Sequence, residues 1–138
     1  MAAMPRQHPP EIARFLAVGS FAVVGASADR SKYGNKVLRC YQQHGLPVVG
    51  VCPKLTEVEG VPVHPSLTAV PGPRAVSVVA PPAAAVGVVA DAAAAGVRHL
   101  WFQPGAEAPE ALAAAQAAGI EVISGGPCLL VALGFRDG

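Results

Sequence analysis

The chain has 138 residues, one domain's worth of protein, enough to bury roughly two-thirds of the surface its unfolded form exposes. Ten Lys and Arg against nine Asp and Glu leave a formal charge of +1, so there is neither a basic field to attract nucleic acid nor an acidic solvating tail. The longest apolar stretch, residues 76–90, is broken by Pro81, Pro82 and Gly87 and cannot cross a membrane as one helix.

Residues 1–10 hold Pro5, Pro9 and Pro10 and no apolar core of signal-peptide length. They read as a loose arm ahead of a domain at 11–138, and a cytoplasmic location is expected. Residues 11–18 place Ile12, Phe15 and Leu16 at helical spacing before Gly19, and Phe21-Ala22-Val23-Val24 follows as a strand apolar on both faces, as in a parallel sheet covered on both sides. Val37, Leu38 and Tyr41 predict a helix over 33–44, ended by Gly45 and Pro47. Val48-Val49-Gly50-Val51 is the next strand, residues 60–64 a short one, and Pro65-Ser66-Leu67 a brief helical turn.

The alternation continues with a strand at 75–79, a helix at 83–95 ended by Gly96, a strand at 99–102 and a helix at 108–118 ended by Gly119. A strand at 120–123 and a helix at 127–133 complete the chain. This order predicts a single-domain, Rossmann-like, doubly wound α/β fold with a mainly parallel sheet and helices on both faces. Ligands of such folds bind beyond the carboxyl ends of the strands, so the informative loops are 25–34, 52–55, 80–82, 103–106 and 124–127.

The first of these joins a buried strand to a helix whose leading N–H groups point at whatever is bound there, an anion site. Gly25 permits a tight turn with Ala26 behind it, Ser27 adds a hydroxyl, and Arg30 and Lys32 bring positive charge ahead of Tyr33 and Gly34. The spacing is not the dinucleotide pattern GxGxxG: Ser27 stands at the second glycine, and Gly34 lies too far along to be the third. Where an NAD site has an acidic residue for the ribose hydroxyls, this chain has Cys52-Pro53-Lys54, and a lysine there favours a phosphorylated ribose. NADP and coenzyme A both carry one, and both remain open on these residues. Ala80 with Pro81 and Pro82 offers a rigid apolar surface, and Gln103-Pro104-Gly105 brings an amide to the same rim.

Together these loops resemble the CoA-binding domain family, whose relatives include the CoA-binding domain of the succinyl-CoA synthetase α subunit and the ADP-forming acyl-CoA synthetases; stand-alone bacterial members are similar in extent. The resemblance is carried by Val24-Gly25-Ala26-Ser27, Ser31-Lys32-Tyr33-Gly34-Asn35-Lys36-Val37, Gly50-Val51-Cys52-Pro53-Lys54, Gly60-Val61-Pro62-Val63, Trp101-Phe102-Gln103-Pro104-Gly105 and Gly119-Ile120-Glu121-Val122-Ile123. It implies that residues 25–34 hold the phosphates, that Lys54 sits near the adenosine end, and that Ala80, Pro81, Gln103 and Pro104 line the pantetheine path. Cys52 replaces the Asn common before Pro-Lys in small members.

The ligases of this kind complete their reaction with a phosphorylated histidine on another domain. His8, His44, His64 and His99 read instead as structural or surface residues, and Cys40, Cys52 and Cys128 form no CxxC pair for zinc or a disulfide framework. No Ser-His-Asp set or paired carboxylates are visible. The expected function is therefore binding of coenzyme A or acyl-CoA without catalytic machinery. An NADP-dependent reductase or redox sensor, and a docking subunit of a ligase-like complex, are the alternatives, and the Ala- and Val-rich composition allows a homodimer. Cys52, at the ligand rim, is a candidate for a mixed disulfide with CoA.

Overall fold

A computed structural model describes residues 8–72 and 74–137, and their strands form one seven-stranded sheet. In chain order the elements are α1 (Pro10–Ala17), β1 (Phe21–Val24), α2 (Tyr33–Gln43), β2 (Val48–Val51), β3 (Glu57–Val58), β4 (Val61–His64), β5 (Ala75–Val78), α3 (Ala85–Ala94), β6 (His99–Phe102), α4 (Pro109–Ala117), β7 (Glu121–Ile123) and α5 (Leu129–Leu133). The spatial order is β3-β4-β2-β1-β5-β6-β7. All pairings are parallel except β3 with β4. The parallel strands thus wind outward from β1 in both directions, and the order reverses between β1 and β5, where a doubly wound sheet opens its ligand crevice.

Alternation along the strands sorts side chains into two cores. Phe21, Val23, Ala75 and Trp101 pack with Ile12, Phe15, Leu38, Tyr41 and Leu129 from α1, α2 and α5. On the other face Ala22, Val24, Val76, Val78, Leu100 and Phe102 meet Ala85, Val89 and Ala92 of α3 and Ala111 and Ala115 of α4. The period of two therefore buries both faces, as the uniformly apolar strands required. Phe15 stands edge-on to Trp101 with ring centroids 5.4 Å apart, and Phe21 stacks on Tyr41 at 4.7 Å. Arg14 closes a forked ion pair on Glu121, which fixes α1 against β7. No helix among the described residues is long and apolar enough to cross a membrane.

Three differences from the sequence reading stand out. The loose arm was expected to reach residue 10, but Pro10 already opens α1 with Pro9 as its N-cap; a proline at the first helical position sacrifices no intrahelical hydrogen bond. Residues 1–7 lie outside the described residues. Secondly, β3 was not anticipated: Val58 pairs with Val61 across a two-residue turn in which Glu59 (φ 50) and Gly60 (φ 81) are both left-handed. That is the geometry of a primed hairpin turn, built here with Glu where Asn or Asp is usual.

The third concerns Gly34. The sequence spacing separates it from the dinucleotide pattern, yet it performs the packing task of that pattern's last glycine. A Cβ on Gly34 would lie 1.9 Å from the carbonyl oxygen of Gly25, and one on Gly25 would lie 1.8 Å from that of Val79. The start of α2, the exit of β1 and the exit of β5 therefore meet backbone to backbone. Replacing Gly34 by alanine is expected to lower stability by about 3 kcal/mol, the upper end of overpacking costs. Gly87→Ala, at an exposed α3 position with open space around it, should raise stability by about 1 kcal/mol. Urea midpoints at constant m-value read both.

Candidate functional site

Two clefts open at the carboxyl ends of the strands. The larger, about 550 Å³, lies over β5 and β6 and is lined by Tyr33, Ala80, Pro81, Gln103, Pro104 and Cys128 among others. The smaller, about 240 Å³, lies over β1 and β2 and is lined by Gly25, Cys52, Pro53, Ser66, Ala80 and Asp91 among others. Ala80 borders both, so they adjoin at the switch in strand order. Their walls are chiefly apolar with a few polar groups, the usual character of a small-molecule site.

Of the residues singled out from sequence, Gly25, Tyr33, Pro53, Ala80, Pro81, Gln103 and Pro104 line these clefts. Ala26 and Gly34 are buried beneath them; the Ala26 methyl lies where a side chain on Gly50 would need to be, 2.8 Å from that absent Cβ. These two shape the site by packing. Ser27 is half-buried, and Arg30, Lys32 and Lys54 are exposed around the rim.

The phosphate-loop candidate is ordered by its own hydrogen bonds. The Asp29 amide donates to Ser27 Oγ (3.1 Å), and the Ser31 amide and hydroxyl donate to Asp29 Oδ1 (2.9 and 2.7 Å). Those two bonds hold the Asp29 carboxyl below its ordinary range. The loop ends on α2, whose N-cap, Lys32, gives no side-chain cap, so the leading N–H groups keep their capacity for an anion.

Arg30 does not offer the free charge expected of it. Its guanidinium grips the Glu59 carboxylate through two bonds of 3.1 Å. Glu59 also accepts from Asn35 Nδ2 at 3.1 Å, and these bonds, Arg30's first, hold its carboxyl below the usual range. Asn35 is fully buried: it donates to the Ser27 carbonyl (2.8 Å) and accepts from Arg39 Nε (2.6 Å). Arg39, itself buried, reaches the Arg30 carbonyl at 3.1 Å and lies over the Phe135 ring. Asp137 pairs with Lys36 and Arg39. Lys32 and Lys54, by contrast, enter no ion pair among the described residues.

In the larger cleft Gln103 is fully buried, with Oε1 accepting from the Leu129 amide (2.9 Å) and the Tyr33 hydroxyl (3.4 Å). Its Nε2 has no acceptor among the described residues. The Tyr33 hydroxyl is also hydrogen-bonded to Cys128 Sγ, and burial followed by that bond pushes its pKa up. Trp101 Nε1 donates to the Pro127 carbonyl at 2.9 Å, tying the final loop to β6.

Sequence reasoning missed Glu59, Glu107 and Cys128 as parts of this edge. Glu107 accepts from the Gly105 amide (2.9 Å) and the Gly125 amide (3.2 Å), so it staples the loop after β6 to the loop after β7. Backbone amides, its own first and then those two, hold its carboxyl below the ordinary range. The only sequence signal was an acidic residue two positions after Pro-Gly, whose amide it caps.

The fold and the paired clefts define a Rossmann-like domain with two adjoining clefts at the carboxyl edge of its sheet. The chain belongs to the CoA binding domain family, which it matches over residues 19–134. Among solved structures it is similar to a conserved hypothetical protein from Pyrococcus furiosus, at 36% identity and TM-score 0.77 over 81% of this chain and 97% of that one. A hypothetical protein from Pyrococcus horikoshii OT3 is 27% identical, with TM-score 0.83 over 94% and 96%. The dinucleotide-forming acetyl-coenzyme A synthetase 1 of Ca. Korarchaeum cryptofilum, in complex with phosphate and ADP, is 28% identical with TM-score 0.70, and the match spans 77% of this chain but 25% of that one. No curated protein matches the sequence.

The Glu107 staple has a pH signature. A carboxylate held low in the folded state contributes stability that is full above its unfolded pKa of about 4.3 and is lost as pH falls through the folded value. Between pH 6 and pH 3 the native protein should therefore lose more stability than Glu107→Gln, in urea titrations at each pH. Equal losses would show that the staple does not hold the two loops.

Proposed function

We propose that the protein binds coenzyme A, or an acyl-CoA, along the carboxyl edge of its sheet. The observation that carries this reading is the adjacency of two apolar clefts at Ala80, beside an uncapped helix start and with Lys32 and Lys54 at the rim in no ion pair among the described residues. The adenosine end is assigned to the smaller cleft beside Pro53, with the neighbouring Lys54 as partner of the ribose 3′-phosphate. The diphosphate falls to residues 25–34 and the start of α2, with Lys32 adding charge where the helix dipole already favours anions. The pantetheine arm then runs past Ala80 and Pro81 into the larger cleft toward Gln103. Membership of the CoA binding domain family supports this ligand.

Binding of this kind needs no reacting side chain. Calorimetric titration with CoA, 3′-dephospho-CoA, NADP and NAD separates it from a dinucleotide site. CoA is expected to bind, with a loss of about 1.5 to 3 kcal/mol on removing either the 3′-phosphate or the Lys54 ammonium in Lys54→Ala, the size of a charge-assisted contact. Removing both should cost little more than removing one. Binding of NADP in preference to CoA overturns the proposal in favour of a reductase or sensor module.

A further inference from the structure

We propose that Cys128 is a covalent capture site for the thiol end of the ligand, which it holds as a mixed disulfide; the inference rests on the CoA reading above. Cys128 is half-buried and borders the larger cleft with Tyr33 and Gln103. The Tyr33 hydroxyl touches both of the others, bonding Cys128 Sγ and, at 3.4 Å, Gln103 Oε1. Gln103 has its oxygen fixed by the Leu129 amide, which fixes which way the amide group is turned, and its nitrogen is buried without an acceptor among the described residues. A buried donor in that state calls for an acceptor beyond the described residues, and a ligand in the cleft is one.

The last amide of a pantetheine arm supplies one. Its carbonyl lies one nitrogen and two methylenes from the terminal sulfur, and Gln103 and Cys128 line the same cleft, each hydrogen-bonded to the Tyr33 hydroxyl, Gln103 through Oε1. A ligand carbonyl seated against Gln103 therefore leaves the ligand sulfur in the cleft that Cys128 also lines.

The other two cysteines do not meet these conditions. Cys52 borders the smaller cleft, assigned to the adenosine end, where the ligand has no sulfur. Cys40 is fully buried, and burial pushes its thiol up to about 11. The sequence-based candidate for capture, Cys52, thus gives way to Cys128.

The step is a thiol–disulfide exchange with the symmetrical disulfide of the ligand. The Cys128 thiolate attacks one sulfur of CoA disulfide; the new S–S bond forms as the old one breaks, and the departing CoA thiolate takes up the proton that Cys128 released. Cys128 is oxidised from thiol to disulfide, and the departing sulfur is reduced from disulfide to thiol.

The test is intact-mass spectrometry with peptide mapping on the native protein, incubated in parallel with CoA disulfide and glutathione disulfide. One CoA adduct is expected, mapped to Cys128, reversed by dithiothreitol, and formed at least tenfold faster than the glutathione adduct. It should persist in Cys52→Ser and vanish in Cys128→Ser. Equal rates with the two disulfides, an adduct on Cys52, or no adduct overturns the inference. Calorimetry with reduced CoA distinguishes the two levels: binding without capture refutes this inference alone, and absence of binding refutes the CoA reading with it.

Discussion

The backbone contact among Gly25, Gly34 and Val79 sets the geometry on which the rest of the carboxyl edge depends. Three segments from distant parts of the sequence can approach this closely only because two of them lack a side chain at the crossing. Gly25 adopts a φ of 92, a conformation costly for other residues, so that its chain leaves β1 pointing across β5. Gly34 lets α2 start directly against that turn. The start of a helix, with its unused N–H groups, is thereby held at the point where the strand order reverses.

Around that crossing the protein places a buried polar clamp. Burying Asn35 and Arg39 is costly unless every group finds a partner, and here the partners are drawn from four places: the first loop, the β3–β4 turn, α2 itself and the C-terminal segment at Asp137. Glu59 is held in a left-handed conformation at the turn, and its carboxylate receives both Arg30 and Asn35. The loop is thus held by the protein's own groups, the kind of preorganisation that lowers the entropy cost of binding. The same clamp consumes Arg30, Lys36 and Arg39, while Lys32 and Lys54 enter no ion pair among the described residues. Preorganisation and charge selection are consequences of one network.

Much of this edge was legible from the chain. Apolar four-residue strands spaced by helices, each helix ended by Gly45, Gly96 or Gly119, gave the alternation, and alternation gave the location of the loops that matter. Gly25, Pro53, Ala80 and Gln103 were identifiable because they follow strands directly. The β3–β4 hairpin was not, since Glu59-Gly60 lacks the usual Asn-Gly signature and β3 has two residues. Cys128 was counted only as one of three unpaired thiols, because nothing local distinguishes it from Cys40.

The sequence by itself determined the period of burial, the order of the elements and the family, because these depend on residues near one another in the chain or on patterns repeated along it. Only the tertiary structure decided which charges are spent and which remain, that Gly34 meets Gly25 across a loop of eight residues, and that Gln103, Tyr33 and Cys128 share one cleft. Those outcomes depend on distances between segments many residues apart. Such distances follow from how helices pack on the sheet, and no local propensity encodes them.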